Sequence, residues 1–376
     1  MSFPTLQLRR LGKTNLQLSF LGLGTLTVSP AQNNLSDEAA GEILAYAVKR
    51  GINWLDTAHL YDNYSQIRAA LNRLATPPHI MTKTYAYAAA DAERDFNTAR
   101  RKLGLDQLAA VMLHEQENPL TLSGHREAFG ELLARREKGE VAAVGISTHS
   151  VSVVESLADV KYKAAGSNNC ALEPNNFATG EYIDEGVKSE GRDLIRDMAM
   201  ANKKRLGNYP ELPDCYQETD FIFPLLNQTG IGLLEGSWQQ MATASKFAAH
   251  VGLGVLGMKL FAGGHLLSQR LQAITAALDM DFVTAWSVGM GTEAEIDINI
   301  DWFCGREPSE KMLRITEARP RRLVIEDWCI GCGNCVARCR SGALSLCNGQ
   351  VSVDQEKCIL CSYCASSCPL FAIKIW

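Results

Sequence analysis

The chain has 376 residues, 46% of them hydrophobic and 21% charged, a globular composition that excludes wholesale disorder and fibrous repeats. Lys and Arg number 37 against 42 Asp and Glu, a formal net charge of -5, so charge gives no reason to expect a nucleic acid or an anionic membrane as partner. The N-terminal MSFPTLQLRRLG lacks the apolar core of a signal peptide, and no later run reaches the length of a membrane span, so a soluble, cytoplasmic protein is expected. Cysteine is distributed unevenly: nine of the 12 lie between Leu323 and Trp376, while Cys170, Cys215 and Cys304 are scattered over the rest. Clustered thiols without an export signal point to metal rather than to disulfides.

In chain order, Leu6–Arg10 and Asn15–Leu18 flank Gly12-Lys13-Thr14 and read as a hairpin closing the bottom of the domain that follows. Strands are expected at Leu18–Thr25, Asn53–Ala58, His79–Thr84, Leu108–His114 and Ala142–Thr148, then at Asp220–Leu226, Gly254–Lys259 and Phe282–Gly289. Helical patterns lie between them. The first runs from the N-cap Ser36 to Arg50, with acids at its start, bases at its end and Gly51 as stop. Others cover Ala90–Leu103, Arg126–Lys138, Val151–Asp159, Ser237–Val251, His265–Asp279 and Thr292–Phe303. This alternation predicts an α/β fold, a (β/α)8 TIM barrel over residues 1–310. A doubly wound open sheet is the alternative, but no Gly-rich dinucleotide fingerprint follows the first strand. An insert over about 161–218 holds a Gly/Asn/Pro-rich stretch (167–180) and a helix expected over Ile183–Lys204. Residues 311–322, with Arg319-Pro320-Arg321-Arg322, read as a linker to a small C-terminal domain at 323–376.

In such a barrel, chemistry gathers where strands end at their C-terminal face. Asp56 ends the second strand, Tyr61 lies in the next loop, and Lys83 and His114 end the third and fourth. A phenol is a weak acid, with a pKa of about 10, that an adjacent ammonium strengthens, and a carboxylate can hold that ammonium in place. Tyr61, Lys83 and Asp56 suit those roles, and His114 could orient a carbonyl.

FLGLGT (Phe20–Thr25), DTAHLY (Asp56–Tyr61), TKT (Thr82–Thr84), LDQLAAVMLH (Leu105–His114), GIST (Gly145–Thr148) and LGMKLFAGG (Leu256–Gly264) resemble the aldo/keto reductase family across nearly the whole barrel. The resemblance implies that Asp56, Tyr61, Lys83 and His114 form the catalytic tetrad, with Tyr61 the proton donor. It implies a small carbonyl or alcohol substrate and a nicotinamide cofactor extended across the barrel mouth. It implies cofactor contacts at Ser147 (the carboxamide), Lys259 (beside the pyrophosphate) and Asn299 (the adenine), with Gly289 and Glu295 near them. Family members read the adenosine 2′-phosphate with basic residues near the last helix, whereas Ser287–Asn299 has no Lys or Arg and Glu295 stands where Arg is expected. That favours NAD(H) over NADP(H). Phe223 takes the place of the family's usual Gln.

Cys329, Cys332, Cys335 and Cys339 are spaced C-x2-C-x2-C-x3-C, and Cys358, Cys361, Cys364 and Cys368 repeat the spacing before Pro369. This is the bacterial ferredoxin pattern, in which the fourth cysteine of each run serves the other cluster. One [4Fe–4S] cluster would use Cys329, Cys332, Cys335 and Cys368, the other Cys358, Cys361, Cys364 and Cys339. Zinc is the rival, but it has no need of such close-packed runs. Arg340 replaces the first run's usual proline, and Cys347 is expected to be a buried non-ligand.

The two parts leave three readings. The chain is an NADH-linked carbonyl or alcohol oxidoreductase, the leading one. Alternatively it is a ferredoxin-type reductase feeding a substrate or flavin through its clusters. The third is a non-enzymatic electron-transfer subunit. A redox partner protein is compatible with each.

Overall fold

The computed structural model of the protein describes residues 5–164, 206–207, 209–318 and 320–375. The expected Gly/Asn/Pro-rich stretch and the helix over 183–204 lie outside them. Strands β1 (Leu8–Arg10) and β2 (Gln17–Ser19) form the expected antiparallel hairpin. Then come β3 (Leu21–Gly24), β4 (Trp54–Asp56), β5 (His79–Thr84), β6 (Leu108–Gln116), β7 (Val141–Thr148), β8 (Phe221–Pro224), β9 (Gly254–Met258) and β10 (Ala285–Gly289). These eight close in sequence order, β10 pairing back onto β3, as a parallel barrel.

Period-two alternation sorts the strand residues. Ile80, Val111, Val144, Ile222 and Val255 face the surrounding helices and join the larger core. Trp54, Met81, Met112, Phe221, Phe223 and Leu256 fill the inside, together with Leu11, Leu16 and Leu18 of the hairpin. The hairpin therefore plugs the bottom, where a Cβ on Gly12 would stand 2.5 Å from the Gly254 nitrogen. Gln17–Ser19 belongs to this plug, which is why the first barrel strand begins at Leu21 and not at Leu18. Between the described barrel strands, Tyr64–Leu71 and Pro119–Gly124 are helices beyond the expected set. The helix Glu310–Glu317 takes up most of the stretch expected as linker. No described helix is long and apolar enough to cross a membrane.

The C-terminal domain is built from β11 (Leu323–Ile325), β12 (Leu344–Cys347), β13 (Gln350–Val353) and β14 (Ile373–Ile375). β11 and β14 pair antiparallel, as do β12 and β13. Asn348 and Gly349, both at positive φ (53° and 78°), turn the second pair tightly. Cys347 ends β12 and is exposed, contrary to the buried position expected, because its side chain lies on the outer face of this hairpin near Ser345 and Ser352. Arg340 lies 5.6 Å from the Tyr363 ring centroid, so a cation–π contact stands where a proline was expected.

The domain sits against the loop after β9. His265 bonds Ser362 through Nδ1 and the Ile373 carbonyl through Nε2, both at 2.9 Å. Gly264, at φ +93°, lies so close that an added Cβ would stand 2.0 Å from the Ile375 carbonyl oxygen. Gly264→Ala should therefore push β14 off the barrel, at a cost of about 1–3 kcal/mol. Thermal unfolding and limited proteolysis near residues 305–322 would register it as a lower Tm and faster cleavage.

Candidate active site and cluster sites

Alternation points Asp56, Lys83, His114 and Ser287 into the barrel at its C-terminal rim. Lys83 is buried and ion-pairs with Asp56, and its ammonium donates to the Thr57 carbonyl at 2.8 Å. Ser287 donates to the other Asp56 oxygen at 3.0 Å. Tyr61 ends the short 3-10 turn His59–Tyr61 that follows β4, and its ring centroid lies 5.1 Å from the Lys83 ammonium. The rings of Tyr61 and His114 meet edge-on, with centroids 5.8 Å apart. All four expected residues thus converge.

Their electrostatics differ from the sequence expectation in one respect. Burial, reinforced by Asp56 and then Glu115, holds the Tyr61 phenol well above its ordinary range. Lys83 lies over the ring and is committed to Asp56 and Thr57, so Tyr61 rests as a firmly protonated phenol. Burial pushes His114 down to about 3 against the pull of Glu115, so this imidazole is neutral, and its Nδ1 has no partner. Tyr85 stacks on it at 4.4 Å.

Glu115 is a neighbour that the sequence did not reveal. Strict alternation after His114 would turn it outward. The β6–β7 register instead shifts between Leu113 and Gln116, and Glu115 takes φ +42°. Its N–H donates to Ser147 Oγ at 2.9 Å, and its carboxylate accepts from Tyr85 and lies 3.7 Å from His149 Nε2. Burial opposes its ionisation, but His114, His149, the Tyr85 hydroxyl and Lys259 hold it well below the usual carboxylate range.

A cavity of about 220 Å3 opens from this rim. Asp56, Tyr61, Ser287, Lys259, Gly289, Glu295, Asn299 and Trp302 are among the residues that line it. Of the five expected cofactor contacts, Lys259, Gly289, Glu295 and Asn299 lie on this wall. Ser147 does not, being fully buried and occupied with Glu115. Buried Asn299 Oδ1 has no partner and suits a ligand amine. A Cβ on Gly289 would stand 2.2 Å from Thr27 Oγ1, so any side chain there would have to displace that hydroxyl. Glu295 accepts from the Gly291 N–H at 2.8 Å, capping its own helix, Glu293–Phe303. These groups fit a dinucleotide. The space is tighter than an ordinary ligand cleft of ~300–1,000 Å3, because Lys374 and Ile375 of β14 form part of the wall. Arg270 and Arg321 also reach it, from segments outside Ser287–Asn299; Arg270 is ion-paired with Glu317.

In the C-terminal domain, a second cavity is lined by Cys329, Cys332, Cys335 and Cys368, with Ile325, Val351 and Pro369 around them. Three thiols of the first run and the last thiol of the second thus share one space, the crossed set that the spacing predicts. Ala372 N–H donates to Cys368 Sγ at 3.3 Å. Cys364 is pushed up to about 12 by burial, and Cys335, Cys361 and Cys339 act in the same direction, placing these thiols in one another's field. Among the described residues no three such side chains close as around a single metal ion. The soft, all-thiol donor set around an enclosed apolar space fits iron–sulfur. Cys368→Ala should remove about half of the bound iron, by depriving the first run's cluster of its fourth ligand. Iron and sulfide analysis of anoxically purified protein would check this.

Residues 20–175 match the family model described as Aldo/keto reductase family, and 323–345 and 351–374 match that of the 4Fe-4S binding domain. An aldo-keto reductase of Mycobacterium tuberculosis is 24% identical over 167 residues, 41% of this chain and 53% of that protein. The chain spans about half the length of the curated aldo-keto reductases it matches. One component of an ion-translocating oxidoreductase complex from Methanosarcina acetivorans is 39% identical over 54 residues, 14% of this chain and 20% of that protein. Among solved structures, a putative aldo-keto reductase from Pseudomonas aeruginosa is similar with a TM-score of 0.54 at 20% identity, covering 80% of this chain and 96% of the other. That likeness is one of fold.

Proposed function

We propose that this chain, an aldo/keto reductase domain joined to a 4Fe-4S binding domain, is an oxidoreductase that reduces a small carbonyl substrate, or oxidises the alcohol, with NADH. Cys329, Cys332, Cys335 and Cys368 would hold one [4Fe–4S] cluster, and Cys358, Cys361, Cys364 and Cys339 the other. When bound, nicotinamide supplies two electrons as hydride, and each cluster exchanges one electron. The observation that carries the reading is the convergence of Tyr61, Lys83, Asp56 and His114 at the rim of a cavity whose lining also bears Glu295 and Asn299.

Tyr61 holds its proton in the resting site and gives it to the carbonyl oxygen as charge develops there. Asp56 fixes the Lys83 ammonium, whose positive charge stabilises the phenolate that remains. Neutral His114 holds the carbonyl oxygen in line by hydrogen bonding. Phe223, buried with its ring 5.5 Å from the Lys83 ammonium, helps keep water from that face. Glu295 on the wall and the pairing of Arg270 with Glu317 support NADH over NADPH.

A second reading draws on one observation, that Lys374 and Ile375 of the cluster-bearing domain line the same cavity. Electrons would then reach the barrel through the clusters by way of a one- and two-electron mediator such as flavin.

Anoxic full-length protein assayed against aldehydes and ketones with NADH, NADPH or reduced viologen separates the readings. Turnover with NADH, lowered about 10²–10⁴-fold by Tyr61→Phe with NADH binding and iron content unchanged, is expected. Turnover with viologen alone favours the second reading. Wild-type rates in Tyr61→Phe would refute the tetrad's role.

A further inference from the structure

Two lysines on the cavity wall have no role in the tetrad. Lys259 follows β9 in a left-handed conformation (φ +60°), and non-glycine strain of this kind persists where the surroundings enforce it, commonly at ligand sites. Lys374 lies in β14 and is 3% exposed. Both face Phe371: the Lys259 ammonium is 5.6 Å from its ring centroid and that of Lys374 is 2.9 Å. Lys374 also donates to the Phe371 carbonyl. Among the described ion pairs no carboxylate closes on either ammonium; Glu115 and Glu326 act on both from farther off, against burial and the mutual repulsion that lower the pKa of Lys374. Two like charges on one desolvated wall repel, and an anion in direct contact with both offsets that repulsion.

Their place along the cavity indicates which anion. The segment from Lys259 to Arg270 starts in the field of Asp56 and Lys83 and ends with Arg270 5.7 Å from the Trp302 ring. Gly263 lies along it, where an added Cβ would stand 2.8 Å from the Lys374 side chain. The lysine pair therefore accompanies a run from the tetrad to the helix bearing Asn299. In an extended dinucleotide the diphosphate lies between the two nucleosides.

We propose that Lys374 of the cluster-binding domain joins Lys259, which the family resemblance already sets beside the pyrophosphate, in an anion subsite for the diphosphate of the bound dinucleotide, so that both domains hold one ligand. The inference rests on the reading that this cavity takes NADH.

Equilibrium binding of NADH, inorganic pyrophosphate and adenosine to anoxic full-length protein tests it, with iron content and visible absorbance confirming that each variant keeps its clusters. Lys374→Met and Lys259→Met should each weaken NADH and pyrophosphate about tenfold or more, Lys374→Arg should restore most of the affinity, and adenosine should bind all variants equally. Wild-type affinity of Lys374→Met for both phosphate ligands overturns the subsite, as does an equal loss for adenosine, which would mark a collapsed wall. If NADH binds wild type and Lys374→Met alike, the inference falls while the NADH reading stands. If wild type binds pyrophosphate through both lysines but not NADH, the NADH reading falls and the subsite is assigned to another diphosphate.

Discussion

The buried ion pair of Lys83 and Asp56 is the constraint around which the barrel mouth is organised. Two charges withdrawn from water gain little net stability, but losing either partner strands the other at a cost of about 3–5 kcal/mol. Both ends are therefore tied down: Asp56 by Ser287, and Lys83 by the Thr57 carbonyl. With that ammonium fixed beneath its ring, Tyr61 has a defined place against His114. The pair thus sets position more than it sets stability.

The second organising contact is the approach of β14 to the loop after β9. Gly263 and Gly264 leave room for the Lys374 stem and the Ile375 carbonyl, and His265 ties Ile373 and Ser362 to the barrel. Cys368 and Lys374 are only six positions apart (374 − 368), so even a fully extended chain would separate their Cα atoms by no more than ~20 Å. A thiol of the cluster cavity and a cation of the barrel cavity are thus carried on one short segment. That closeness gives physical content to a joint redox role for the two domains.

A hydride carries two electrons and a cluster one, so under the proposed NADH reading direct electron exchange between the domains would need a one- and two-electron mediator. The proposed lysine pair offers a different coupling, in which one bound anion touches both domains and each therefore responds to the other's state. Such a linkage needs only a difference in ligand affinity between states.

The eight barrel strands, the plugging hairpin and the repeated cysteine runs were legible in the sequence, because each depends on local period or spacing, while Asp56, Tyr61, Lys83 and His114 were picked out by their places at strand ends together with the family resemblance. A buried strand advertises itself by apolar alternation, and a cluster by thiols at fixed intervals. Glu115 was not legible, since only a register shift and a left-handed backbone bring it against Tyr85 and His149. Nor was the withdrawal of Ser147 to the Glu115 N–H, which follows from that bulge. Lys374, Arg270 and Arg321 reached the cavity from outside the segment Ser287–Asn299, where the family resemblance would place cations. Sequence determined which elements form and which side chains each presents. Tertiary structure alone decided which of them meet across domains, because such meetings depend on how closely two backbones approach, and no local pattern encodes that.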